Sequence, residues 1–143
     1  MNSRLLITDC YVPETHSMDS GTSLPVRDVL NAVLDPAGAP RDGVTVSGGE
    51  AFLQAGALRL LLQALKALEV HTVVYSGHTL DSLARRPEPE VRAALDLIDL
   101  LIDGPFVAAL ADGAGEWRGS RNQRLIRRPG RLLPALQRRT GGA

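Results

Sequence analysis

The chain is short of cysteine, lysine and aromatic residues, and each shortage closes a class of structure. Cys10 is the only cysteine among 143 residues, so no disulfide can form within the chain. Aromatics make up 3% of it. The core must therefore be aliphatic, and the interleaving of aromatic and basic residues that stacks single-stranded nucleic acid is missing. Nucleic acid is not an expected partner. Leu5–Ile7 is too short an apolar run for the hydrophobic region of a signal peptide. The longer apolar stretches are interrupted, so no membrane-spanning helix is expected and the cytoplasm is the expected location. His16, His71 and His78 are scattered without the spacing of a metal site.

What is present is ordinary in bulk and uneven in detail. Hydrophobic residues are 44% and charged residues 22%, the proportions of a globular protein with one core, and a single domain over 1–143 is expected. The formal net charge is zero, yet the segment from Trp117 onward holds eight arginines and no acidic residue. The rest of the chain is acidic, and Lys66 is its only lysine. The basic tail, 127–143 at its end, reads either as a solvated segment pairing with the acidic body or as a surface for a partner protein or an anionic ligand.

Hydrophobic periodicity orders the middle of the chain. Residues 1–24 read as irregular and polar. Val26, Val29, Leu30 and Val33 fall at helical spacing, predicting a helix over 25–34 with Ser23 as a possible cap. A short β-branched run at 43–47 predicts a buried strand. Leu58, Leu61, Leu62, Leu65 and Leu68 make one stripe of a helix over 51–69. Residues 70–76 predict a second strand, 79–84 a short helix capped by Thr79, 90–95 another helix, and 97–102 a third strand. Alternating helices and strands imply right-handed crossovers and a mostly parallel sheet. In such sheets ligands bind at the carboxyl ends of the strands, which selects 47–50, 76–78 and 103–106.

The first of these places carries the most chemistry. In Ser47-Gly48-Gly49-Glu50 the glycines let a ligand approach the backbone, and the helix amides that follow face the same space. Glu50 adds a carboxylate beside exposed carbonyls, a combination suited to an ammonium group. A tight strand-to-helix turn, with Glu50 as a first-turn helix charge, accounts for the same residues.

In context, Asp42 to Gln54 resembles the Gly-Gly-Glu-Pro motif with which radical S-adenosylmethionine enzymes bind the cofactor's methionine ammonium, with Ala51 in place of the proline. Three further segments resemble the branch that contains the activases of anaerobic ribonucleotide reductase and pyruvate formate-lyase. Cys10-Tyr11-Val12-Pro13-Glu14-Thr15-His16 is similar to the stretch around the last cluster cysteine. Val74-Tyr75-Ser76-Gly77-His78-Thr79-Leu80 is similar to the strand that contacts the cofactor's carboxylate and ribose. The run from Ile98 to Phe106, with Trp117 to Arg124, is similar to the C-terminal signature.

The resemblance covers residues 10–126 in order. It implies an α/β fold, a partial (βα) barrel with a mostly parallel sheet whose first strand is missing. It also implies S-adenosylmethionine and a 4Fe–4S cluster as cofactors, and cleavage to a 5′-deoxyadenosyl radical that takes hydrogen from a glycine of a partner glycyl radical enzyme. Flavodoxin or ferredoxin would be the electron donor. Ser47, Gly48, Gly49, Glu50, Ser76 and Gly77 become the candidate cofactor contacts, and Cys10 the candidate cluster ligand. Asp103, Arg118, Asn122 and Gln123 are either pocket and partner-facing groups or turn formers and polar cover.

The family's cluster loop, Cys-x3-Cys-x2-Cys, is not intact. With Cys10 as its last cysteine, the other positions hold Ser3 and Ile7. One thiolate does not assemble such a cluster, so the chain as given is expected to be inactive. It reads as a fragmentary reading frame or as a non-catalytic cofactor- or partner-binding module on the same fold. An unrelated α/β enzyme with a phosphate-binding Gly-Gly loop is the remaining alternative.

Overall fold

The computed structural model describes residues 4–7, 22–34, 43–47 and 49–141. Its centre is a four-stranded sheet in the order β3 (Gly43–Val46), β4 (His71–Tyr75), β5 (Leu100–Asp103), β6 (Arg124–Arg127). The pairs β3–β4 and β4–β5 are parallel, and β5–β6 is antiparallel. The chain is thus mixed α/β with a mostly parallel sheet. The connections are α2 (Ala55–Ala67) between β3 and β4, and α3 (Leu80–Ala84) with α4 (Pro89–Leu97) between β4 and β5.

Register explains which side chains face the helices. Val46 lies beside Val74, Val74 beside Leu101, and Leu101 beside Ile126. Side chains alternate across a strand, so this row of four shares one face. All four belong to the main core with Leu58 and Leu62 of α2, Leu83 of α3, Val91 and Leu95 of α4, and Leu133. The central strands β4 and β5 bury six of their nine residues, as strands flanked on both sides do. β6 places Leu125 and Ile126 between two exposed arginines, and charge at an edge strand discourages further pairing.

Several boundaries differ from those expected. The helix over 51–69 divides into a short 3-10 helix, Ala51–Gln54, and α2, and Leu68 lies beyond the helix end, 54% exposed. The expected strand over 97–102 begins only at Leu100, because Val91, Ala94, Leu95 and Ile98 continue the helical spacing of α4 into the core. Helix α1 (Val26–Val33) starts from Pro25 with no side-chain cap, since proline itself presets the backbone angle there. Thr79 does cap α3, accepting from the Ser82 amide at 3.1 Å.

Two stretches without an assigned element have regular structure. Within 1–24, β1 (Arg4–Ile7) pairs antiparallel with β2 (Thr22–Pro25) as a separate two-stranded sheet. The basic tail supplies a 3-10 turn, Pro129–Leu132, and helix α5 (Leu133–Gly141). Leu133 is 1% exposed within the core, so the start of the tail is packed rather than solvated.

Asp103, at the end of β5, ties these parts together with a side chain that is 1% exposed. It accepts from the Leu80 amide at 2.6 Å and from Arg124 Nε at 3.0 Å, joining β5 to the start of α3 and to β6. This hydrogen bonding holds the Arg124 guanidinium above its ordinary pKa. Removing one partner of such a pair leaves the other group unmatched. Asp103→Asn is expected to destabilise the fold by about 2–4 kcal/mol, read as a lower urea midpoint. An unchanged midpoint would mean that Asp81, 3.4 Å from the same guanidinium, holds Arg124 unaided.

Candidate functional site

The carboxyl ends of β3, β4 and β5 open onto one end of the sheet, and their loops are stitched together there. The Ser76 amide donates to Ile102 O at 3.0 Å, and the Gly104 amide to His78 O at 3.1 Å. These bonds join the turn after β4 to that after β5. The turn after β3 is joined through Glu50, which precedes the 3-10 helix and caps it by accepting from the Phe52 amide at 3.0 Å.

Glu50 also reaches across to the neighbouring turn. Its Oε1 accepts from the Gly77 amide at 2.7 Å, and both oxygens lie 3.0 Å from Ser76 Oγ. Ser76 Oγ in turn accepts from the His78 amide at 3.1 Å, so the hydroxyl proton is directed at the carboxylate. Hydrogen bonds to an ionised acceptor are shorter and stronger than neutral ones. Ser76 is 4% exposed and Phe52 1%, so the clamp is buried on that side, while Gly77 stays exposed.

The candidate cofactor contacts therefore form a group. Glu50, Ser76 and Gly77 touch directly, with Ser47 and Gly49 exposed beside them. Gly49 has φ 48, a left-handed conformation that glycine adopts without a Cβ penalty. Gly48 and Cys10 lie outside the described residues, as do Ser3 and His16. Because the Glu50 carboxylate is engaged by three protein donors, its role in the structure is to position two turns. The groups left exposed around it are Ser47, Gly49 and Gly77.

The other singled-out residues shape the rim. Tyr75 Oη donates to Trp117 O at 2.6 Å, pulling the loop after β5 over the sheet. Gln123, 8% exposed, accepts from the Gly119 amide at 2.7 Å and donates to Gly104 O at 3.0 Å. Arg118 Nε donates to Ala114 O at 2.8 Å, and Asn122 Nδ2 to Pro105 O at 2.7 Å. All three are fasteners of the 104–123 loop. His71 opens β4 exposed, and no group of three or more His, Cys, Asp and Glu able to hold a metal exists among the described residues. The Asp103–Arg124 pair is the functional-end feature that sequence reasoning missed on the arginine side, since nothing in the tail marks one arginine as structural.

Residues 6–126 match the model of the 4Fe-4S single cluster domain. The chain belongs to that family. It is 32% identical over 121 residues to the anaerobic ribonucleoside-triphosphate reductase-activating protein of Vibrio cholerae, covering 80% of this chain and 75% of the relative. The protein of the same name from Pasteurella multocida is 32% identical over 127 residues, covering 82% of this chain and 77% of the relative. The pyruvate formate-lyase 1-activating enzyme of Escherichia coli is 30% identical over 96 residues, 65% of this chain and 37% of the relative. The branch resembled by the motifs is thus the branch that the relatives occupy.

The donor set of this chain does not fit three-thiolate ligation of the family's cluster. Cys10 is its only cysteine, and Ile7, in β1, has no ligating atom. The bonds from Glu50 to Phe52, Ser76 and Gly77 need no thiol and are in place.

The clamp makes a direct prediction. In Glu50→Gln one acceptor oxygen becomes an NH2 group facing N–H and O–H donors. Destabilisation of about 1–3 kcal/mol is expected, with faster hydrogen exchange at the Gly77 amide than at amides of β5. Equal protection of Gly77 in both proteins would show that the carboxylate does not hold that turn.

Proposed function

We propose that this chain is an activase-like protein of the radical S-adenosylmethionine type that grips S-adenosylmethionine at the carboxyl end of its sheet but does not cleave it as a single polypeptide. One observation carries the reading: Glu50 draws the Gly-Gly turn and the Ser76-Gly77 turn together at the strand ends, within a family match over 6–126. The methionine ammonium would rest on the backbone of residues 47–50, and the carboxylate would meet the polar end of β4 at Ser76 and Gly77. Glu50 keeps the two turns at a fixed separation, so the ligand meets a preformed cradle.

The finer parts of the reading follow from the resemblance. The four-stranded sheet would be part of a (βα) barrel whose first strand is missing. Phe106 and Trp117, 63% and 51% exposed, stand on the loop that Tyr75 anchors. Aromatic residues on a rim suit a protein partner, here a glycyl radical enzyme such as those activated by the relatives. In a competent activase the cluster supplies the electron for cleavage, delivered by flavodoxin or ferredoxin. With one cysteine, no such step is assigned to this chain. No helix among the described residues is long and apolar enough to cross a membrane, and the cytoplasm is the proposed location.

Two measurements test this. Titration calorimetry with S-adenosylmethionine is expected to show one saturable site, weakened about tenfold or more by Ser76→Ala combined with Glu50→Gln. Absence of saturable binding would remove the grip. Anaerobic reconstitution is expected to leave the chain without stoichiometric iron and sulfide, whereas the Ser3→Cys/Ile7→Cys variant, which restores the three-thiol spacing, takes up both. Stoichiometric cluster in the unaltered chain would overturn the proposed inactivity.

A further inference from the structure

The basic tail does not act as one unit. Arg118 and Arg121 bond to backbone carbonyls of the 104–123 loop, and Arg124 is held by Asp103 and Asp81. Arg128 and Arg131 are different. With Lys66 they border a groove of about 450 Å3 between the end of α2, the end of α4 and the 3-10 turn Pro129–Leu132. All three side chains are exposed, and among the described residues none makes an ion pair. The groove borders Asp99, just before β5, and the residue just after antiparallel β6. It is therefore at the opposite end of the sheet from Glu50 and Ser76.

Two carboxylates also border the groove, and they offset only part of its charge. Asp99 is directed at the start of β4, where its Oδ2 accepts from the Thr72 amide at 2.8 Å and from Thr72 Oγ1 at 3.3 Å. Asp96 is exposed and lies against Gly130, where any side chain would collide with it. Three cations thus border the groove with two carboxylates, one of them already bonded to Thr72, so positive charge is in excess there.

The backbone at Arg128 is the second, independent observation. Arg128 has φ 47 and ψ 62, left-handed for a residue that is not glycine and that directly precedes a proline. This conformation is costly and is held by the bond from the Arg128 amide to Asp99 O at 2.8 Å and from the Arg131 amide to Arg128 O at 3.0 Å. Strain of this kind collects at binding sites. Here it turns the chain so that Arg128 and Arg131 stand over the same groove as Lys66.

We propose that this groove is a second ligand site, for a di- or triphosphate group. Guanidinium forks take phosphate oxygens in pairs, and lysine adds a point charge. The volume falls in the range of small-molecule pockets and exceeds what a single phosphate fills. The group could be free pyrophosphate or the tail of a nucleotide, since the recognising chemistry is shared.

The test is calorimetric titration of the full chain with pyrophosphate and, separately, with ATP at fixed salt. One saturable site is expected, weakened about tenfold by Arg128→Gln and by Arg131→Gln and unchanged by Arg138→Gln/Arg139→Gln. Lys66→Gln, on an exposed helix position, gives the same loss if an arginine variant fails to fold. ATP binding tighter than pyrophosphate identifies a nucleotide site, and equal affinity a site for the phosphate chain. Absence of saturation with both probes overturns the proposal. So does equal weakening by the Arg138/Arg139 variant, which would make the effect one of general charge.

Discussion

The Glu50 carboxylate is the joint on which the functional end depends. A parallel sheet fixes its strands by backbone bonds, but the turns beyond them have no ladder to hold them. Glu50 takes over that task by accepting from the amide of its own 3-10 helix and from Ser76 and Gly77 of the next turn. Asp103 does the equivalent work one strand further on, for α3 and β6. Two acidic residues thus convert three separate strand ends into one surface. A ligand meeting that surface meets backbone groups already in place, with little ordering left to do.

Much of this was legible in the sequence, because the middle of the chain is locally consistent. The β-branched run of β3, the leucine stripe of α2 and the threonine cap of α3 each specify their element through near neighbours. The grouping of residues 47–50 with Ser76 followed from a topological rule about strand ends, and the structure places Glu50 in contact with Ser76. What was not legible depends on distant partners. β1 and β2 are short, and each is defined by the other across a long separation. β6 looks like part of a basic tail until β5 is beside it. The protein partners of Glu50 were not legible either, because Ser76 and Gly77 are brought near it only by the fold.

Family membership and donor chemistry separate cleanly in this chain. The match to the 4Fe-4S single cluster domain runs over residues 6–126, and the clamp at its centre needs no thiol. Holding a cluster is a local demand on three sulfur ligands, whereas gripping the amino-acid end of a cofactor is a demand on sheet geometry. The second can persist without the first, because nothing in the packing of Leu58, Val74, Leu95 and Leu101 refers to a cluster.

The charge distribution carries the argument to the other end of the sheet. A tail of eight arginines on an acidic body would be expected to collapse onto carboxylates indiscriminately if charge alone governed it. Instead its first three arginines are consumed by specific acceptors around the 104–123 loop and β5, while Arg128 and Arg131 are turned away by a left-handed residue and left beside Lys66. Attraction alone does not produce that division, since Asp96 and Asp99 border the same groove without pairing to them. The left-handed turn at Arg128 brings three cations to one groove with two carboxylates, an excess of positive charge that suits the proposed multivalent anion. Opposite ends of one sheet are thereby given opposite chemistry, a carboxylate-pinned cradle at the carboxyl ends of the parallel strands and a cation-lined groove at their amino ends.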